Sequence, residues 1–187
     1  NYDDDWSRFR DPAARTTPWS QIKYIPVGGD AWLSLGGEAR WRAEYRGNER
    51  FGRGLQDNDG ELQQRLRLWG DLHLGSSVRI FAEVQDGRTT GLDSGEPVVE
   101  ENRTDLHQAF IETGHQVSDG ALKLRVGRQE FAVGMSRIFE PREGSNARTG
   151  FDMARVMYDR PTGWSGGLFA GYALREGKAS FDDATNF

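Results

Sequence analysis

Arginine recurs at every second residue in several stretches of this chain, and that spacing is the feature best suited to act on a charged solute. Arg40 and Arg42 alternate with Ala39, Trp41 and Ala43, and Arg65 and Arg67 with Leu66 and Leu68. Arg79, Arg125 and Arg155 sit likewise between Val78 and Ile80, Leu124 and Val126, and Ala154 and Val156. Successive side chains of an extended strand point to opposite faces, so these guanidiniums share the polar face of a sheet. Fixed guanidinium charges beside trapped water lower the barrier for carboxylate-bearing solutes. Glu38, Glu44, Asp71, Glu83 and Glu112 fall on the same face, and cross-strand ion pairs brace a sheet. Selection of a solute and bracing of the wall are both open to this row.

The other chemical candidates are weaker. His73, His107 and His115 stand apart, without the i, i+4 pairing of a zinc helix, so no metal or other cofactor is expected. The run Asp57, Asn58, Asp59, Gly60 resembles the start of a calcium loop but lacks the downstream glutamate, and reads as a solvated turn. Gly163-Trp164-Ser165-Gly166-Gly167 fits the pattern of a hydrolase nucleophile elbow. That elbow needs a helix after the serine, whereas the following LFAGYAL reads as strand. Carboxylates on neighbouring strands are too common to nominate an acid/base pair, so the chain does not read as an enzyme.

Composition sets bounds. The 187 residues are 36% hydrophobic with a mean hydropathy of -0.74 and a net charge of -5. No apolar run approaches the roughly 18 residues of a spanning helix, but a membrane barrel spreads its apolar residues over alternate positions, where an average hides them. No stretch is both strongly basic and interleaved with aromatics, so nucleic acid is set aside as a partner. The absence of cysteine removes disulfides and thiolate metal sites. The chain opens on Asp3, Asp4 and Asp5 with no basic-then-apolar leader, so a secretory signal is expected to be missing from it.

Residues 1–30 hold Trp6, Phe9, Trp19, Tyr24 and the prolines Pro12, Pro18 and Pro26, which predict a helical turn and an extended lead-in. From Ala31 strict alternation begins. Leu33, Leu35, Gly37, Ala39, Trp41, Ala43 and Tyr45 take one face, and Ser34, Glu38, Arg40, Arg42 and Glu44 the other. The same division predicts strands at 61–74, 77–86, 105–114, 121–131, 152–160 and 164–175, with turns that alternate between short and long. Strands of this length suit a tilted crossing of a bilayer, which takes about 9–11 residues, and the turn bias is that of outer-membrane barrels. Trp41, Tyr45, Tyr158, Trp164 and Tyr172 suit interfacial girdles, whereas Trp69 falls on the polar side, where it could stack on a sugar ring. The fold class expected is an all-β, antiparallel transmembrane barrel of the outer-membrane type.

The segments DWSRFRDPAARTTPWSQIKYIPVG, WLSLGGEARWRAEY, LQQRLRLWGDLHLG, DLHQAFIE, LRVGRQEF and REGSNARTGFDMARVMYDR follow one another along nearly the whole chain. In that order they resemble the alginate-export outer-membrane porins. The resemblance implies a barrel of about 18 strands whose electropositive interior passes a uronate polymer or another anionic solute by diffusion. Its partners would be outer-membrane lipid of a Gram-negative cell, an anionic carbohydrate and periplasmic export proteins. On that scale this chain carries about seven or eight strands, and the expectation is a lead-in over residues 1–30 and the first half of a barrel, cut short, over 31–187. The resemblance also singles out Arg128 in GRQE and Arg142, Arg148 and Arg155 in REGSNARTGFDMAR, on stretches like those that feed the family's constriction. The structural alternative is an inward-folded loop pinned by Glu130, Glu140, Glu143 or Asp152. Two further expectations stand beside the uronate channel: a porin of the same fold for a different anionic or aromatic solute, and a soluble β-rich module that binds polysaccharide.

Overall fold

A computed structural model describes residues 4–45, 47, 49–53, 60–91, 99–161, 163 and 165–185. The lead-in forms two 3-10 turns at Ser7–Arg10 and Pro12–Ala14, then a one-turn helix α1, Pro18–Gln21. A capping box holds α1: Ser20 N–H donates to Thr17 Oγ1 at 3.2 Å and Thr17 N–H to Ser20 Oγ at 3.0 Å. Strand β1, Ile25–Gly28, ends the lead-in. The wall follows as β2 (Ala31–Tyr45), helix α2 (Glu49–Gly52), β3 (Gly60–Leu74), β4 (Val78–Thr90), β5 (Asn102–Val117), β6 (Gly120–Gln129), β7 (Phe151–Asp159), β8 (Gly166–Arg175) and a short β9 (Ala184–Thr185).

The nine strands of the described residues lie in one antiparallel sheet in sequence order, so every neighbour is joined by a simple reversal. The sheet is not closed: β1 and β9 are its two edges. Fifteen residues of β2 or β3 extend about 50 Å at about 3.3 Å per residue. That is longer than the roughly 30 Å thickness of a bilayer's hydrocarbon.

Register fixes which side chains share a face. Glu38 lies opposite Arg67, Arg40 opposite Arg65 and Arg42 opposite Gln63, and the series Trp32, His73, Arg79, Glu112, Arg125, Arg155, Phe169 crosses the sheet from strand to strand. That face is covered: Gln63, Gln108 and Gln129 are wholly buried, and Arg65, Arg67, Asp71, Glu83 and Arg125 nearly so. The opposite face carries the oils into the open, with Leu68 65% exposed, Ile111 55% and Leu168 80%. Leu35, Leu66, Val78 and Ile80 are exposed with them. The sheet is thus inverted relative to a soluble protein, whose buried residues are mostly apolar.

Among the described residues, conventional apolar packing forms two clusters, besides the stacked pair Phe81 and Phe110 on the covered face. Phe9, Tyr24 and Trp32 cluster where the lead-in meets β2, and Trp32 stacks on His73 at 3.9 Å. Phe131, Phe151 and Met153 form the second cluster, over β7. Trp69 lies opposite Gly36, where a Cβ would overlap its ring, so that aromatic lies flat along the polar face as its parity predicts.

Several boundaries differ from the sequence expectation. β4 runs on to Thr90 and β5 begins at Asn102, because Gly87 to Thr90 still pair with β3 although no apolar residue marks their alternation. β1 pairs with β2 despite Pro26, which is tolerated because β1 is an edge strand. Asp57 to Asp59 of the calcium-like run, and the aromatic of Trp164, lie outside the described residues. Ser165 is followed directly by strand β8, not by the helix that a nucleophile elbow requires.

Candidate functional site

The connection between β6 and β7, residues 130–150, folds back over the polar face. Its fixed point is Asn146, wholly buried, whose Nδ2 donates to the carbonyls of Gln64, Arg88 and Glu100 at 3.0, 3.2 and 3.0 Å. Its backbone N–H donates to Glu100 Oε2 at 2.9 Å, and Ala147 N–H to the Val99 carbonyl. Strand side chains reach up to meet the loop. Arg40 donates to the Ser145 carbonyl and Asn146 Oδ1 at 3.2 and 3.3 Å, Arg65 to the Ser145 carbonyl at 3.3 Å, and Arg42 to the Gly144 carbonyl at 2.8 Å.

Beneath the loop lies a network centred on Glu130, 2% exposed. It accepts from Arg148 Nε at 2.5 Å and Nη2 at 2.7 Å, and from Arg67 Nη2 at 3.1 Å, and its Oε1 lies 2.8 Å from His107 Nε2. Burial opposes the charge on Glu130, but the hydrogen bonds from His107 and Arg148 outweigh it and hold the carboxyl down to about 2. Arg67 also donates to Glu83 at 2.6 and 3.1 Å. A bulge in β5 makes this possible: the pairing slips between Glu83 and Val84, so that adjacent His107 and Gln108 are both buried. Glu83, His107 and Glu130 are close enough to hold a metal ion, yet Arg67 and Arg148 already donate to Glu83 Oε1 and to both oxygens of Glu130, and the group reads as an ion-pair network.

The predicted arginines divide by partner. Arg65 is bound to Glu38 at 2.7 Å, Arg67 to Glu83, Arg79 to Asp71 at 2.7 Å, Arg125 to Glu112 at 2.5 Å, and Arg148 to Glu130 and Glu143. Those residues are braced by carboxylates. Arg79 and Arg125 also lie over the Phe110 ring, at 5.7 and 4.3 Å. Arg40 differs, since both its hydrogen-bond acceptors in the loop are neutral. Arg42 lies 3.0 Å from Glu44. Arg142 is half exposed at the loop surface, 3.9 Å from Glu176. Arg155 lies over the Phe131 ring at 4.8 Å. Arg128 stands apart from the row: it shares the parity of Leu124 and Val126, and it pairs with Asp152 at 3.0 and 3.2 Å near the end of β6.

Sequence reasoning passed over His107 and Asn146. An isolated histidine gives no signal, because the bulge that turns it inward is a property of the pairing. Asn146 is a loop asparagine among others until the loop is seen to fold.

An antiparallel sheet with oils outside, ions inside, alternating short and long reversals, and a loop folded over its polar face belongs to the class of outer-membrane-type β-barrel walls. Within that class the chain belongs to the alginate export family, which it matches over residues 31–183. No curated protein and no solved structure matches it. Proteins of the family are outer-membrane porins.

Proposed function

We propose that residues 31–187 form part of the wall of an outer-membrane channel through which anionic, uronate-like carbohydrate diffuses, with residues 1–30 as a lead-in packed against one end. The observation that carries this reading is the covered guanidinium face beneath the inward-folded loop, set against an apolar outer face. Arg40 is the foremost candidate for meeting solute, because its loop contacts are with neutral oxygens that a carboxylate can displace; Arg42 stands beside it, donating to the Gly144 carbonyl while paired with Glu44 and 4.0 Å from Glu100. Arg142 is the surface guanidinium that an arriving anion would meet. Arg65, Arg67, Arg79, Arg125, Arg128 and Arg148 hold the wall and loop in shape, and act on the solute through the field they leave.

The test is electrical. The protein expressed from its complete gene and placed in planar bilayers should conduct, prefer anions in a salt gradient, and be blocked by uronate oligomers. Replacement of Arg40 and Arg42 together by alanine should move the reversal potential toward zero. Absence of conductance, or preference for cations, overturns the channel reading.

A second solute class has one observation in its favour. Phe131, Phe139, Phe151, Met153 and Phe169 line a cavity of about 660 Å³, and Arg155 lies over Phe131. An aromatic carboxylate has the shape and charge for that place. Block by benzoate-like acids in preference to uronates would favour this solute over the polymer.

A further inference from the structure

The short-turn end of the polar face sets aromatics beside an ammonium. Trp69, near the end of β3, lies with its indole against Gly36 of β2, so close that any side chain there would overlap the ring. One face of the indole is taken up by the wall. The ring is only half-buried, and its other face borders the space over the polar side of the sheet.

The lead-in brings a cation to that ring. Leu35 N–H donates to the Ile22 carbonyl at 2.8 Å, which lays the chain after α1 along the edge of β2. Lys23 follows, with its Nζ donating to the Leu35 carbonyl at 2.8 Å. There the ammonium is 5.7 Å from the centroid of the Trp69 ring and 5.1 Å from that of Trp6. Trp6 is fixed in turn by stacking on Phe9, a member of the lead-in's apolar cluster, at 5.8 Å. Burial pushes the Lys23 ammonium down from its ordinary range, although Asp4 favours its charge. A half-desolvated ammonium gains more from a carboxylate than one in open water does.

We propose that Trp69 and Lys23 form a subsite for one uronate ring of the solute at the short-turn end of the wall. Its place in a transport path rests on the channel reading, in which short turns are periplasmic, and it is there that a polymer entering from the periplasm is first held. The two groups recognise different parts of the ring. An indole face is negative and attracts the C–H bonds of a pyranose, a contact that acidic and neutral sugars share. An ammonium has three N–H donors, so Lys23 can keep the Leu35 carbonyl and hold a carboxylate as well, a charge-assisted bond that only the acidic sugar makes. Trp6 is a positioning residue, which holds the ammonium beside Trp69.

The protein from its complete gene, folded in detergent, is titrated calorimetrically with a trimer of uronic acid and, separately, with a neutral glucan trimer. The parent should bind the acidic trimer more tightly. Lys23→Met should weaken the acidic trimer by about tenfold or more and leave the neutral one unchanged, and Lys23→Arg should restore the preference. Trp69→Leu should weaken both trimers, by about two- to tenfold. A merely structural role for either residue would not give that crossed pattern. Equal weakening of both trimers by Lys23→Met, unchanged affinity for both in Trp69→Leu, or no binding by the parent overturns the subsite. Should Trp69→Leu fail to fold, Lys23→Met decides alone. Conductance distinguishes this failure from that of the channel: a parent that conducts, with variants that bind as it does, loses the subsite alone, and the crossed pattern without conductance loses the channel alone.

Discussion

Glu130 does more at this site than any arginine the sequence brought forward. It is the shared acceptor of Arg67, Arg148 and His107, and so links the wall to the loop. Glu130→Gln leaves two buried guanidiniums short of their counter-charge and should destabilise the protein by about 3–5 kcal/mol, read as a lower urea midpoint in detergent. The pH dependence has a definite sign. Because the folded carboxyl is held to about 2 from an ordinary 4.5, its contribution is complete above about pH 4.5 and is lost as pH falls through 2. The stability gap between the parent and Glu130→Gln should therefore be constant near neutrality and shrink on acidification below 4.5. A gap that is the same at pH 2.5 as at pH 7 would show that the charge is not its cause.

At the scale of elements, the loop and the strands make different demands. Asn146→Ala removes the hydrogen bonds to three carbonyls and leaves buried acceptors, at about 1–3 kcal/mol for an unsatisfied group. Limited proteolysis should cut within residues 141–149 of that variant before any cut in the parent, and channel conductance should rise as the loop leaves the polar face. On the outer face, Leu68→Arg sets a charge toward hydrocarbon and should weaken folding into liposomes by up to about 2–4 kcal/mol; a shift within error would mean that Leu68 does not face lipid. Strands β2 to β8 were legible in the sequence because one oily flank repeats at every second residue. β1 was not, because Pro26 and the paired glycines mask a short edge strand. The parity of Arg128 with Leu124 and Val126 was readable from alternation alone, and it is the pairing with Asp152 that explains a cation on that side. The inward placement of His107 and the hold of Asn146 on the carbonyls of Gln64, Arg88 and Glu100 depend on register slips and long-range contacts, which no local pattern encodes.

For the molecule as a whole, the decisive property is inversion, since every statement about solute depends on which face meets lipid. Trp41 and Trp32 sit on the same strand one parity apart: Trp41 is 62% exposed on the oily flank, whereas Trp32 is 7% exposed, stacked between Tyr24 and His73. Variants that keep only one of these tryptophans, folded into liposomes with bromine on the acyl chains near the headgroup, make the faces distinguishable by collisional quenching. The channel reading sets Trp41 in the interfacial girdle of such barrels, so its fluorescence should fall several-fold more than that of Trp32. A soluble sheet that binds polysaccharide across its tryptophans would remain folded without detergent and would show no quenching at either position. Stronger quenching of Trp32 would turn the wall inside out, set the guanidinium row against lipid, and remove the physical basis for passing an anion along it.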